Sequence, residues 1–162
     1  MEQTGPIAAA VAWLAAAAPD PEACRREWER TDSGLALLPA GRRWDVLLVP
    51  GPLGRPALRL LTQSPPFGGW GRLATGGPVL LDPGDDSIGF LVPVGTAARW
   101  VGTGVRAAGA GAWVVVPHPT RRGPGPRWLV VPDGSGQLTD PVALELALHE
   151  AAAGLGGPRV HG

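Results

Sequence analysis

Apolar residues fall in short runs punctuated by Gly and Pro, and the spacing inside each run predicts its element. Pro6–Ala18 is rich in Ala, Leu and Trp without an internal Gly, which predicts a helix that stops before Pro19. Asp20 then offers a cap, with Pro21 in the first helical position and Glu22 in the first turn, so a second helix is expected to reach about Arg30. In it Ala23, Cys24 and Trp28 face inward, and Arg25, Arg26, Glu27, Glu29 and Arg30 face water. Gly34–Leu38 and Trp44–Val49 predict a strand pair about the turn at residues 39–43.

Leu53–Gln63 places Leu53, Ala57, Leu60 and Leu61 on one helical stripe, with Pro56 in the first turn. Ser64–Gly77 is Pro- and Gly-rich and predicts a loop. Pro78–Leu81 and Ile88–Val92 predict a strand pair around Asp82-Pro83-Gly84-Asp85-Asp86. Gly95–Trp100 is a short helix entered through Thr96. Trp113–Val116 and Trp128–Val131 each begin with Trp and stop at Pro, and read most simply as a hairpin with a long Pro/Gly/Arg loop. Thr139 or Asp140 caps a last helix that starts at Pro141 and ends near Gly154.

The element order predicts an α+β fold in a single domain over residues 1–155, with 156–162 as a flexible tail. Short connections between paired strands predict a largely antiparallel or mixed sheet of about six strands with helices packed on it. Trp44, Trp113 and Trp128 are expected to anchor their strands in the core, and the prolines that follow to end them.

Composition narrows the function classes. Of 162 residues 44% are apolar and 17% charged, which excludes global disorder, and the formal net charge of zero provides no global field for a polyanion. Every basic residue is Arg, while Lys, Tyr and Asn are absent, a bias that a GC-rich genome explains better than guanidinium chemistry does. The single Cys24 excludes an internal disulfide and reads as a small buried hydrophobe. Ile7–Ala18 is too short to span a bilayer and follows Glu2 with no Lys or Arg, so a soluble cytoplasmic chain with no membrane contact is expected.

Several motif-like strings lack their context. Gly102–Ala107 fits a dinucleotide pattern but opens no helix, and His149-Glu150 begins a zinc signature whose second His is Ala153. Glu145 and His149 read instead as an exposed pair one turn apart. No metal and no cofactor is expected. Asp82, Asp85 and Asp86 are acidic candidates that could gather a divalent cation, although turn chemistry and hydration explain them better, and Asp45 is a fourth. Arg106, Arg121, Arg122, Arg127 and His118, near Trp113 and Trp128, are candidates for phosphate or nucleic-acid binding. Phe67 and Trp70, in the Pro/Gly loop, are candidates for partner contact.

Glu22–Leu61 resembles the N-terminal prim-pol domain of bifunctional DNA primase/polymerases. In that family a Trp/Arg helix leads into a Gly-Ile-Ala strand, then a strand ending Asp-x-Asp-Pro-x-x-Gly, then a helix. Gly34-Leu35-Ala36 and Trp44–Gly54 fall in those places, and Arg106–Trp113 resembles the family's Gly-rich turn into a His-bearing strand. The likeness extends over about two thirds of the chain and includes small actinobacterial proteins related to the family. Where the resemblance implies two metal-binding Asp, this chain has Leu48 and Pro50, and where it implies His it has Ala112 or Trp113. The resemblance thus implies a prim-pol-like shell without a seat for two metal ions, and nucleotidyl transfer is expected to be absent.

Three functions follow as expectations. One is a non-catalytic prim-pol-like binding module for a protein partner, or for single-stranded nucleic acid or a nucleotide. Another is an assembly subunit that uses Phe67 and Trp70 and has no small-molecule site. The last is a small enzyme, which requires Asp45, Asp82, Asp85, Asp86 and His118 to converge in one pocket.

Overall fold

A computed structural model describes residues 5–30, 34–63, 77–102 and 104–156. In chain order its elements are α1 (Pro6–Ala15), α2 (Pro21–Arg30), β1 (Leu35–Pro39), β2 (Asp45–Pro50), α3 (Gly51–Thr62), β3 (Val79–Asp82) and β4 (Ser87–Val92). There follow α4 (Thr96–Arg99), β5 (Arg106–Ala108), β6 (Trp113–Pro117), β7 (Arg127–Val130) and α5 (Pro141–Gly156). Phe67 and Trp70 of the expected loop, and residues 157–162 of the expected tail, lie outside the described residues, while Gly156 ends α5.

Local chemistry starts two helices where the sequence places them. Asp20 accepts from the Ala23 amide and Asp140 from the Ala143 amide, each at 3.2 Å, and each acid is followed by Pro at the first helical position. α3 begins at Gly51, two residues before its expected start, so Pro56 sits in the second turn rather than the first. Gly54 lets this helix press on the sheet: a Cβ there would lie 2.8 Å from Ile88 Cβ.

Every strand pair among the described residues is antiparallel, in an α+β arrangement of two sheets. The five-stranded sheet has the order β5-β2-β4-β3-β7, and β1 and β6 form a separate two-stranded ribbon. The β3–β4 hairpin is as expected, with Gly84 N–H donating to Asp82 Oδ1 at 3.2 Å in its turn. Two expected pairs do not form. β1 does not pair with β2, because β2 is apolar on both faces and is drawn to the middle of the larger sheet, between β4 and β5. β6 does not pair with β7: it joins β1, and β7 closes the far edge against β3.

The large sheet separates two cores. On one face Leu47, Val49, Val79, Ile88 and Phe90 pack against Ala57 and Leu61 of α3 and Leu144, Ala147 and Leu148 of α5. On the other face Val46, Leu80, Leu91 and Trp128 pack against Ala36, Leu38 and Val116 of the ribbon, with Leu14, Cys24 and Trp28 of α1 and α2. Trp44 and Trp128 anchor this second core as expected, whereas Trp113 is 57% exposed because its odd position on β6 points outward. Ala23 likewise lies at the surface. Among the described residues no helix is long and apolar enough to cross a membrane.

Candidate functional site

Alternation along β2 turns Leu48 to the face opposite α3 and α5, and the register puts Gly89 and then Leu80 beside it. Gly89 keeps this floor low. A Cβ there would lie 3.2 Å from Val46 Cγ1 and 3.3 Å from Leu48 Cδ2. β5 adds Arg106, opposite Leu48, and Ala108. The turn into β6 brings Ala112 and Trp113 over the floor, held by Ala40 N–H donating to Ala112 O at 2.9 Å. The result is a groove of about 490 Å³ between the sheet and β6. Leu48, Leu80, Gly89, Ala108 and Ala112 form its apolar part, and Asp82, Asp85, Ser87 and Arg106 its polar end.

Arg106 Nη2 lies 2.6 Å from Asp85 Oδ2, with the two side chains 66% and 54% exposed. Water therefore screens this pair, and its expected contribution to stability is at most about 1 kcal/mol. Asp82 contributes a second carboxylate, so the groove holds two acids and one base among the described residues. Ser87 is only 5% exposed and its Oγ has no hydrogen-bond partner among the described residues. It stands opposite Pro50 in the ladder.

Among the described residues, β6 presents an unpaired edge to this groove. His118 N–H donates to Gly34 O, and Ala40 N–H to Ala112 O, both at 2.9 Å, which fixes the hydrogen-bonded pairs of the ribbon on the even residues of β6. Trp113, Val115 and Pro117 then direct their backbone polar groups away from β1. Pro117 O accepts from Trp128 Nε1 at 2.8 Å, while Trp113 and Val115 line the groove.

Few other candidates gather here. Asp45, at the opposite end of β2, is 2% exposed and its Oδ2 accepts from the Gly95 and Ala97 amides at 2.9 Å each, so it holds the start of α4. Asp86 pairs with Arg55 of α3 at 2.6 Å. His118 lines a separate hollow with Trp28, Arg25 and Glu29, its ring packed edge-on against Trp28 at 5.6 Å. Burial lowers its pKa below 6.5, with Glu29 opposing. The five residues required for the small enzyme are therefore dispersed, and only Asp82 and Asp85 share the groove.

The basic set is dispersed as well. Arg106 and Arg127 occupy opposite edge strands, four strand spacings or about 19 Å apart, and alternation puts them on opposite faces. Arg121 Nη1 donates to Pro126 O at 2.8 Å, and Arg122 is exposed. Glu145 and His149 are exposed on α5, as expected, beside a hollow that also holds Arg99 and Trp100.

Among the described residues no three His, Cys, Asp or Glu side chains are arranged to hold a metal ion. Sequence reasoning missed Ser87, Gly89 and Ala108 as groove residues. The signal for Gly89 was present, since Gly inside the apolar run Ile88–Val92 marks a close approach or an opening in a strand. Neither a family model, nor a curated protein, nor a solved structure matches this chain.

Proposed function

We propose that the chain is a non-catalytic, prim-pol-like binding module whose protein partner occupies the groove between the large sheet and β6. One observation carries this. Leu48, Ala112 and Trp113, positions that the prim-pol resemblance assigns to metal-binding Asp and to His, line one groove. Pro50, the remaining Asp position, stands in the ladder opposite Ser87, which lines it too. None of the four carries a carboxylate or an imidazole, so those positions offer a hard cation no ligand, and among the described residues the groove's acids are Asp82 and Asp85 alone.

The chemistry of the groove favours protein over polyphosphate. Its floor is apolar, so a ligand gains by burying apolar surface at roughly 25 cal/mol per Å². Among the described residues its polar end carries Asp82 and Asp85 against Arg106 alone, which disfavours a polyanion. The test combines a primer-extension assay with magnesium and manganese and an amide-shift titration with a poly-dT oligonucleotide and with ATP. The expected result is no extension, and no salt-sensitive DNA binding that is lost in Arg121→Ala/Arg122→Ala. Nucleotide incorporation would overturn the non-catalytic assignment.

A further inference from the structure

We infer that the ligand of this groove is a short extended polypeptide segment that adds to β6 as a third strand of the ribbon. This rests on the groove being the ligand site, and adds the class of partner. A strand edge presents a row of unpaired N–H and C=O groups, which is a template for another extended backbone. Trp113 and Val115 offer such a template along the groove wall, away from β1.

The open stretch is short. At its far end the Pro117 carbonyl is already taken by Trp128, so pairing is confined to Trp113 and Val115, two residues or about 7 Å apart. Side chains of the added strand alternate. Those turned to the sheet meet Gly89 and Ala108, where the floor is lowest. At the polar end two carboxylates face a single guanidinium, so charge complementarity selects a basic residue in the segment.

The ribbon's outward face supports the same occupant. Leu35, Leu37 and Pro39 stand opposite Pro117, Val115 and Trp113, and Leu37, Val115 and Trp113 are exposed. An antiparallel ribbon with no polar residue on its outer face, and only two strands, gains stability from a third.

The test uses the full chain, labelled with ¹⁵N, and the peptide acetyl-Val-Arg-Val-Thr-Val-amide. Its control carries N-methyl groups on alternate amides, which keep the side chains but remove one edge of donors. The expected result is that the Trp113, Val115, Gly89 and Ala108 amides shift, and that exchange at Trp113 and Val115 slows. The N-methylated peptide is expected to bind at least about tenfold more weakly. Val115→Pro removes the free-edge donor without touching a ladder bond, and is expected to weaken binding similarly while the ribbon amides stay protected.

Equal binding of the two peptides, no shift at Trp113 and Val115, or undiminished binding by a folded Val115→Pro would overturn the inference. If Val115→Pro does not fold, the peptide pair alone decides. If the oligonucleotide or ATP shifts Gly89 and Ala108 while the peptide does not, the groove remains the ligand site and strand addition falls. If no probe shifts any groove amide, both fall.

Discussion

Trp128 donates its indole N–H to the Pro117 carbonyl oxygen at 2.8 Å, and this bond ties the edge strand of the large sheet to the end of the ribbon. It takes the place of the expected β6–β7 ladder. Trp128→Phe keeps an aromatic ring and strips the carbonyl of its donor, so a loss of about 1–3 kcal/mol is expected in equilibrium urea unfolding. Trp128→Ala adds a cavity and should cost about 3–5 kcal/mol. If Trp128→Phe unfolds at the wild-type urea concentration, the bond is not holding the two layers together.

Asp45 separates a structural carboxylate from a chemical one. Its buried Oδ2 serves two amides at the start of α4, so Asp45→Ala orphans both and should destabilise the fold by about 3 kcal/mol. The groove lies on the other face of the sheet, at the opposite end of β2. Peptide affinity in the folded fraction is therefore expected to stay within about twofold of wild type. A large change in affinity without a change in stability would return Asp45 to the site.

Burial pushes the Cys24 thiol from its usual 9.0 up to about 11, with Arg25 opposing. A raised folded pKa means that the unfolded chain loses its proton first. The associated stability is fully present below about pH 9 and is lost as pH rises from 9 to 11. Alkylation at pH 8 should be slow in the native protein and fast in denaturant, with Cys24→Ala abolishing the signal.

His118 titrates in the opposite sense. Its Nδ1 accepts from the Thr120 amide at 3.1 Å, which leaves the neutral ring protonated on Nε2, and burial holds its pKa below 6.5. The stability associated with that neutral ring is complete above pH 6.5 and declines as pH falls below it. An NMR titration of the ring should give a midpoint below that of an unfolded His; a higher midpoint would show that Glu29 dominates.

What the chain revealed in advance depends on distance along it. The Asp82–Asp86 turn and the caps at Asp20 and Asp140 act within a few residues, and those elements stand where the sequence put them. The β1–β6 pairing joins residues about eighty positions apart, and no local turn signals it. β5 is three residues, Arg106–Ala108, with no apolar alternation to mark it. Trp113 was expected inward because its ring is large, but its parity on β6 is set by a partner strand that the sequence does not name. Leu48, Ala112 and Trp113 were picked out by the family resemblance, whereas Ser87 and Ala108 enter the groove only through register.

The most direct measurement adds Mn²⁺ with dATP to the ¹⁵N-labelled protein and follows paramagnetic broadening of the amides. Leu48, Gly89, Ala108 and Ala112 are expected to keep their linewidths, because among the described residues no three His, Cys, Asp or Glu side chains are arranged to hold a metal ion and the groove's two acids lie at its polar end. Broadening that grows with Mn²⁺ and centres on Leu48 and Ala112 would place a metal–nucleotide site there and contradict a non-catalytic groove.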